Sequence, residues 1–256
     1  MACPIGVERH LTRQRGFTVV ELLVVVSIIA ILGGLLLPVL RNAKSTAKRA
    51  TCLNNLRQIN MGLRIYADEC GDVLSGIPWN RTNYSSLLKH QVGLTQGSSP
   101  QDKLFACPAD TFYYGGTNKS IMLINRGLHE EAFSDFSSYG FNAGNLKTNL
   151  ARFGVDYTKL GVAGRKMSSI KNPSRTVLVH EGAAESPWSW HQPRLPLALK
   201  EGEQGEFENS MNVLSFVDGH ASYVRMYWSH STTNGLALNA GIENPPPEYA
   251  YQWSGD

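Results

Sequence analysis

Charge is scarce in this sequence, and between Leu22 and Leu40 there is none at all. Only 18% of the 256 residues are charged against 42% hydrophobic, which excludes a disordered chain and suits a folded one. A broad basic face is also missing. The formal charge is +3, but residues 1–16 hold Arg9, Arg13 and Arg15 against Glu8 alone, and the remainder carries 21 basic and 20 acidic side chains. Neutralising phosphates needs a basic surface, so this balance argues against a nucleic-acid partner. Cysteine is limited to Cys3, Cys52, Cys70 and Cys107, without a C-x-x-C pair or interleaved histidines, which argues against a zinc site. If Cys3 leaves with an N-terminal leader, the odd count that remains implies one disulfide and one free thiol in an oxidising compartment.

What the chain does have is one long apolar run. Residues 17–40 read FTVVELLVVVSIIAILGGLLLPVL, with Glu21 as the only charge. The 19 uncharged residues from Leu22 to Leu40 span about 28 Å as a helix, close to the hydrocarbon thickness of a bilayer. The arginines that precede the run predict a cytoplasmic N-terminus and an exported C-terminus. A secretory signal peptide fits less well, because the run is long and no clear small-residue cleavage site follows it. A plain membrane anchor leaves Glu21 unexplained, since a carboxylate inside a span costs about 2.5–3.5 kcal/mol on insertion scales.

The segment Arg15-Gly16-Phe17-Thr18-Val19-Val20-Glu21-Leu22 resembles the cleavage and methylation motif of type IV prepilins and type II secretion pseudopilins. That resemblance implies a leader of residues 1–16, cut between Gly16 and Phe17 by a prepilin peptidase that also methylates the new Phe17 amine. Glu21 then occupies the family's glutamate position, the fifth of the mature chain, and Pro38 falls where many members carry a helix-loosening proline. The implied role is structural: a filament subunit rather than an enzyme, whose Glu21 draws the N-terminal ammonium of a neighbour into register. The implied partners are the peptidase/methyltransferase, other copies of the chain, other pseudopilins and an inner-membrane assembly platform. The implied location is the inner membrane, followed by a periplasmic pseudopilus or a surface pilus. A membrane-anchored extracytoplasmic enzyme or binding domain that borrows such an export signal is the alternative.

Beyond residue 40 the pattern stays helical and turns amphipathic. Ala43, Ala47, Ala50, Leu53, Leu56, Ile59, Leu63 and Tyr66 recur at steps of three and four, with Lys44, Lys48, Arg49, Arg57 and Arg64 on what reads as a solvated side. One helix from Phe17 to about Asp68 is expected, with residues 17–40 as the membrane and assembly part and residues 41–70 as its continuation. Cys52 and Cys70 lie about 27 Å apart on such a helix, so an intramolecular disulfide has to use Cys107, with either partner open.

Residues 71–256 form the expected extracytoplasmic head, in an α+β fold with the helix packed on a small antiparallel sheet. Strands are expected at Ser120–Ile124, Thr176–His180, Asn212–Val217 and Ala221–Trp228, the last two joined by a two-residue type I′ turn at Asp218-Gly219. The Pro-rich tail from Pro245 reads as an arm or surface strand. Head segments around Cys107-Pro108, Ser138–Asn142, Asn172–Thr176 and Asn212–His220 resemble a prepilin-like subfamily with a C-terminal His–x9–Asp-Gly signature. Glu208 stands where that signature has its histidine. The same resemblance implies a Cys52–Cys107 disulfide, because both cysteines fall in segments that share it. His180, Glu181, His191, Asp218 and His220 are the possible ligands or bases, and they look scattered. Asp218 and His220 are the nearest to a metal role. Calcium is implied only through likeness to major pseudopilins, and no oxygen-rich loop of recognisable spacing is present, so no cofactor is expected.

Overall fold

The structure is a computed structural model that describes residues 17–75, 83–94, 100–117, 120–142, 161–185, 188–192, 210–227 and 245–255. The leader with Gly16, Glu208, Trp228 and most of the loops at 93–101 and 187–207 lie outside the described residues. By compactness the chain divides into two units, one ending at Lys44 and the other running from Ser45.

Helix α1 spans Val19–Glu69, 51 residues, close to the expected bounds. Its start is set by Thr18, and its end by Gly71 at φ +71°, where the Asp72 amide bonds back to the Ala67 carbonyl at 2.8 Å. Pro38 lies inside α1 and has no amide to give to the Gly34 carbonyl, yet the helix continues past it.

Within the second unit, α1 presents Cys52, Leu56, Ile59, Leu63 and Ala67 as one buried stripe. Each large member contributes about 1.5–3 kcal/mol by leaving water. Leu53 and Tyr66 are half-buried, whereas Ala43, Ala47 and Ala50 are exposed, so the packed face starts later than the periodicity implied. Two asparagines share the buried side: Asn60 Nδ2 donates to the Phe216 carbonyl at 2.7 Å, and Asn55 Nδ2 to the Ala106 carbonyl at 3.2 Å. Nor is the basic side purely solvated. Arg64 donates to the Val217 carbonyl at 2.9 Å, and the Arg49 guanidinium lies 4.6 Å from the centre of the Tyr223 ring.

The stripe packs on a four-stranded antiparallel sheet ordered β3 (Tyr139–Phe141), β4 (Val177–Glu181), β5 (Met211–Phe216), β6 (Ala221–Arg225). A separate hairpin pairs β1 (Tyr113–Thr117) with β2 (Ser120–Ile124), and a short helix α2 covers Asn83–Leu88. This is the α+β arrangement expected. The expected strand Ser120–Ile124 is present with those bounds, β4 and β5 are each displaced by one residue from theirs, and β6 starts at Ala221 as expected but stops at Arg225.

Both faces of the sheet are covered, which is why β4 is buried along its whole length. Opposite α1, the tail lays Tyr251 and Trp253 against Val177, Leu214, Phe216 and Val224. The Val177 amide donates to the Gln252 carbonyl at 2.9 Å, and the Gln252 amide to that of Arg175 at 2.8 Å. The tail is therefore a core strap, not a surface arm; its aromatics close a face the first core leaves open.

The β5–β6 connection also differs from expectation. The Gly219 amide bonds to the Phe216 carbonyl and the Phe216 amide to the His220 carbonyl, both at 2.9 Å, enclosing a three-residue loop. Gly219 alone within it takes a positive φ, +102°. Such a turn with a following left-handed glycine is the next most common hairpin solution after the two-residue I′ turn.

Candidate functional site

The first described residues carry the first candidate site. Thr18 precedes α1 as its N-cap: the Glu21 amide donates to Thr18 Oγ1 at 3.2 Å, while the Thr18 amide and hydroxyl both donate to Glu21 Oε2 at 2.8 Å. This reciprocal pair is a capping box, and it satisfies donors that a helix start leaves bare. Phe17 lies just before it and is 70% exposed. From there to Leu40 the apolar side chains face outward, and a Cβ on Gly33 or Gly34 would meet nothing within 4 Å. Val19–Glu69 is the one helix among the described residues long and apolar enough to cross a membrane.

The second candidate lies between α1 and the sheet. Cys52 of α1 and Cys107, which follows a short helical turn at Lys103–Phe105, are joined by a disulfide with Cα atoms 5.4 Å apart. Cys70 is free and exposed. Glu181 at the end of β4 and His191 meet the disulfide: Glu181 Oε1 is 2.6 Å from His191 Nε2 and 3.3 Å from Cys107 Sγ, and His191 Nε2 is 3.7 Å from the same sulfur. Glu181 Oε2 accepts the Val213 amide at 2.9 Å. All four residues are buried. Burial pushes the nearby Tyr139 phenol well above the ordinary tyrosine range, and the Glu181 carboxylate adds to that shift.

The remaining histidines and acids do not converge there. His180 turns its Nδ1 to the Glu181 carbonyl at 2.8 Å and its ring to Trp253. Asp218 and His220 pair with each other at 2.6 Å beside the hairpin, and His220 stacks on Phe216. Among the described residues, the group of three or more His, Cys, Asp or Glu with converging ligand atoms is Cys52, Cys107, Glu181 and His191, not Asp218 and His220.

Residues 11–37 match the family model described as the prokaryotic N-terminal methylation motif. The chain carries a prepilin-type methylation motif. It covers Gly16, Phe17, Thr18 and Glu21, supports a type IV pilin- or pseudopilin-like prepilin, and is of the kind that a prepilin peptidase processes. The match stops before the head and gives no support to the C-terminal signature. No curated protein and no solved structure matches the chain.

Two features of the prepilin-like chain escaped the sequence reading. The capping box is legible as Thr18-x-x-Glu21 before the apolar run, a local role for Glu21 beside those of intramembrane charge and motif glutamate. The meeting of Glu181 and His191 with the cysteines has no local signal, because three stretches far apart in sequence, around Cys52, around Cys107 and from Glu181 to His191, build it.

Proposed function

We propose that this chain is a structural subunit of a type IV pilus or type II secretion pseudopilus, and not an enzyme. It enters the inner membrane with residues 1–16 in the cytoplasm and its head outside. A prepilin peptidase hydrolyses the Gly16–Phe17 bond and methylates the Phe17 amine. The subunit then joins other copies, or other pseudopilins, on a membrane assembly platform through its N-terminal helix.

The observation that carries this reading is the methylation motif over residues 11–37, continuous with an outward-facing apolar helix. The geometry around Glu21 adds a physical reason. Thr18 supplies two donors to one carboxylate oxygen, Oε2, so Oε1 remains for a further cation. In a low-dielectric surrounding, the N-terminal ammonium of an incoming subunit is strongly favoured there over lipid, which would set register between neighbours. Pro38 and the paired glycines loosen the helix where subunits would pack.

The test is mass spectrometry of the N-terminal peptide from cells with a prepilin peptidase. The expected product begins at Phe17 with a methylated amine, and Gly16→Val leaves the precursor uncut. A native chain still beginning at Met1, or one cut after Leu40, contradicts the proposal.

A further inference from the structure

The disulfide sits in a polar setting that a disulfide does not need. Its sulfurs carry no proton to give, yet Glu181 Oε1 is aimed at Cys107 Sγ from 3.3 Å, with His191 Nε2 alongside. The carboxylate and the imidazole are fully enclosed and pair with each other at 2.6 Å, so a polar pair is buried directly against the sulfurs. With the bond opened, the same pocket presents two thiols, one imidazole nitrogen and one carboxylate oxygen, all within 4.8 Å of one another.

We propose that Cys52, Cys107, Glu181 and His191 form a metal site of the reduced chain, holding one divalent cation of the zinc class. The ligand set, S2NO, suits a borderline-soft ion of tetrahedral preference and not calcium or magnesium. Bonds of about 2.3 Å to sulfur and about 2.0–2.1 Å to nitrogen and oxygen imply ligand–ligand edges of about 3.3–3.8 Å in a tetrahedron. The two Cys107 edges, 3.3 and 3.7 Å, already have that length. The sulfurs separate when their bond opens, and the Glu181–His191 contact of 2.6 Å widens as the ion replaces it. Four protein ligands with no open position make the site structural. The supports are rigid: Glu181 is fixed through Oε2 by the Val213 amide, the Cys107 amide donates to Ser138 Oγ at 2.8 Å, and the His191 amide to Ser189 Oγ at 3.1 Å.

The chemistry is a two-electron exchange. A dithiol reductant transfers two electrons and two protons to the Cys52–Cys107 bond and becomes a disulfide itself. Metal binding then releases the two thiol protons to solvent as two metal–sulfur bonds form. A disulfide oxidant runs the sequence backwards, expelling the ion as the sulfur–sulfur bond reforms. The pocket thus locks α1 to the head by one of two cross-links, chosen by redox state.

The experiment uses the full chain in detergent micelles with Cys3→Ser and Cys70→Ser, so that only two thiols remain. Reduced anaerobically, it is titrated with Co2+ and then with Zn2+. One equivalent of Co2+ should bind with thiolate-to-cobalt absorption, Zn2+ should displace it, and the oxidised chain should bind none. Zn2+ should also raise the thermal midpoint of the reduced chain and leave that of the oxidised chain unchanged, which separates a native site from capture by unfolded thiols. Glu181→Gln should weaken Co2+ binding by more than the about 10–100-fold that losing a hydrogen-bond partner of a ligand costs. No cobalt–thiolate absorption in the reduced chain, equal binding by the oxidised chain, or no rise in midpoint with Zn2+ overturns the proposal.

Discussion

Thr18 and Glu21 hold each other at the head of α1: the threonine hydroxyl caps the glutamate amide, and the glutamate carboxylate takes the threonine amide and hydroxyl at 2.8 Å each. The acid of the methylation motif is thus built into the start of the helix before any neighbour arrives. Its charge is shared with a local pair of donors, which lowers the cost of placing it at the membrane.

Replacing Thr18 by alanine removes the cap and one of the donors to Glu21. The first turn of α1 should open more readily by about 0.5–2 kcal/mol, the usual range for losing such a cap. Hydrogen exchange of the Glu21 and Leu22 amides, which bond to Thr18, measures this in micelles, with the exchange of the Ser45–Glu69 part unchanged. Wild-type protection in that first turn contradicts the capping account.

In the hairpin, Gly219 takes φ +102°, where an added Cβ has room: its nearest neighbour is Arg64 Nη1 at 3.6 Å. The cost of Gly219→Val is therefore backbone strain and not collision, about 1–3 kcal/mol. Asp218→Ala loses only the exposed bonds to His220 and should cost less. Denaturant midpoints of the two variants in micelles should rank in that order.

His129 donates its amide to Asp110, and its ring nitrogen Nδ1 lies 3.0 Å from the same buried carboxylate. The hydrogen bond to Asp110, helped by that charge and opposed by partial burial, raises the His129 pKa above its ordinary 6.5. A raised histidine stabilises the fold fully below the unfolded value and loses that contribution as pH climbs through the folded one. Thermal midpoints should therefore fall as pH rises from about 6.5, and His129→Asn should flatten that part of the profile. A profile identical in the variant contradicts the link.

Parts of this molecule could be read without its structure because their signals are local. A nineteen-residue stretch free of charge, with Glu21 four residues after Phe17, defines the α1 start, and Leu56, Ile59 and Leu63 mark the buried stripe by spacing. Other parts depend on distant packing. Tyr251 and Trp253 look like ends of a Pro-rich tail until the sheet offers them an open face. Asn55 and Asn60 break an apolar pattern, and only the carbonyls of Ala106 and Phe216 explain why they are buried. Glu181 and His191 looked scattered because sequence separation hides the fold that joins them to Cys52 and Cys107. The turn at Gly219 was recognisable as a turn, but its length was fixed by strand register, which two residues cannot reveal.

The filament account rests most directly on Glu21. Glu21→Ala removes an intramembrane charge, so insertion and cutting after Gly16 should persist, while the amine of the neighbouring Phe17 loses its carboxylate in a low-dielectric setting. The measurement is the yield of sheared surface or periplasmic filaments per amount of processed chain, wild type against Glu21→Ala, in cells with the assembly machinery. The account predicts mature-size protein in both and filaments from the wild type alone. Filaments from Glu21→Ala at the wild-type yield would contradict it.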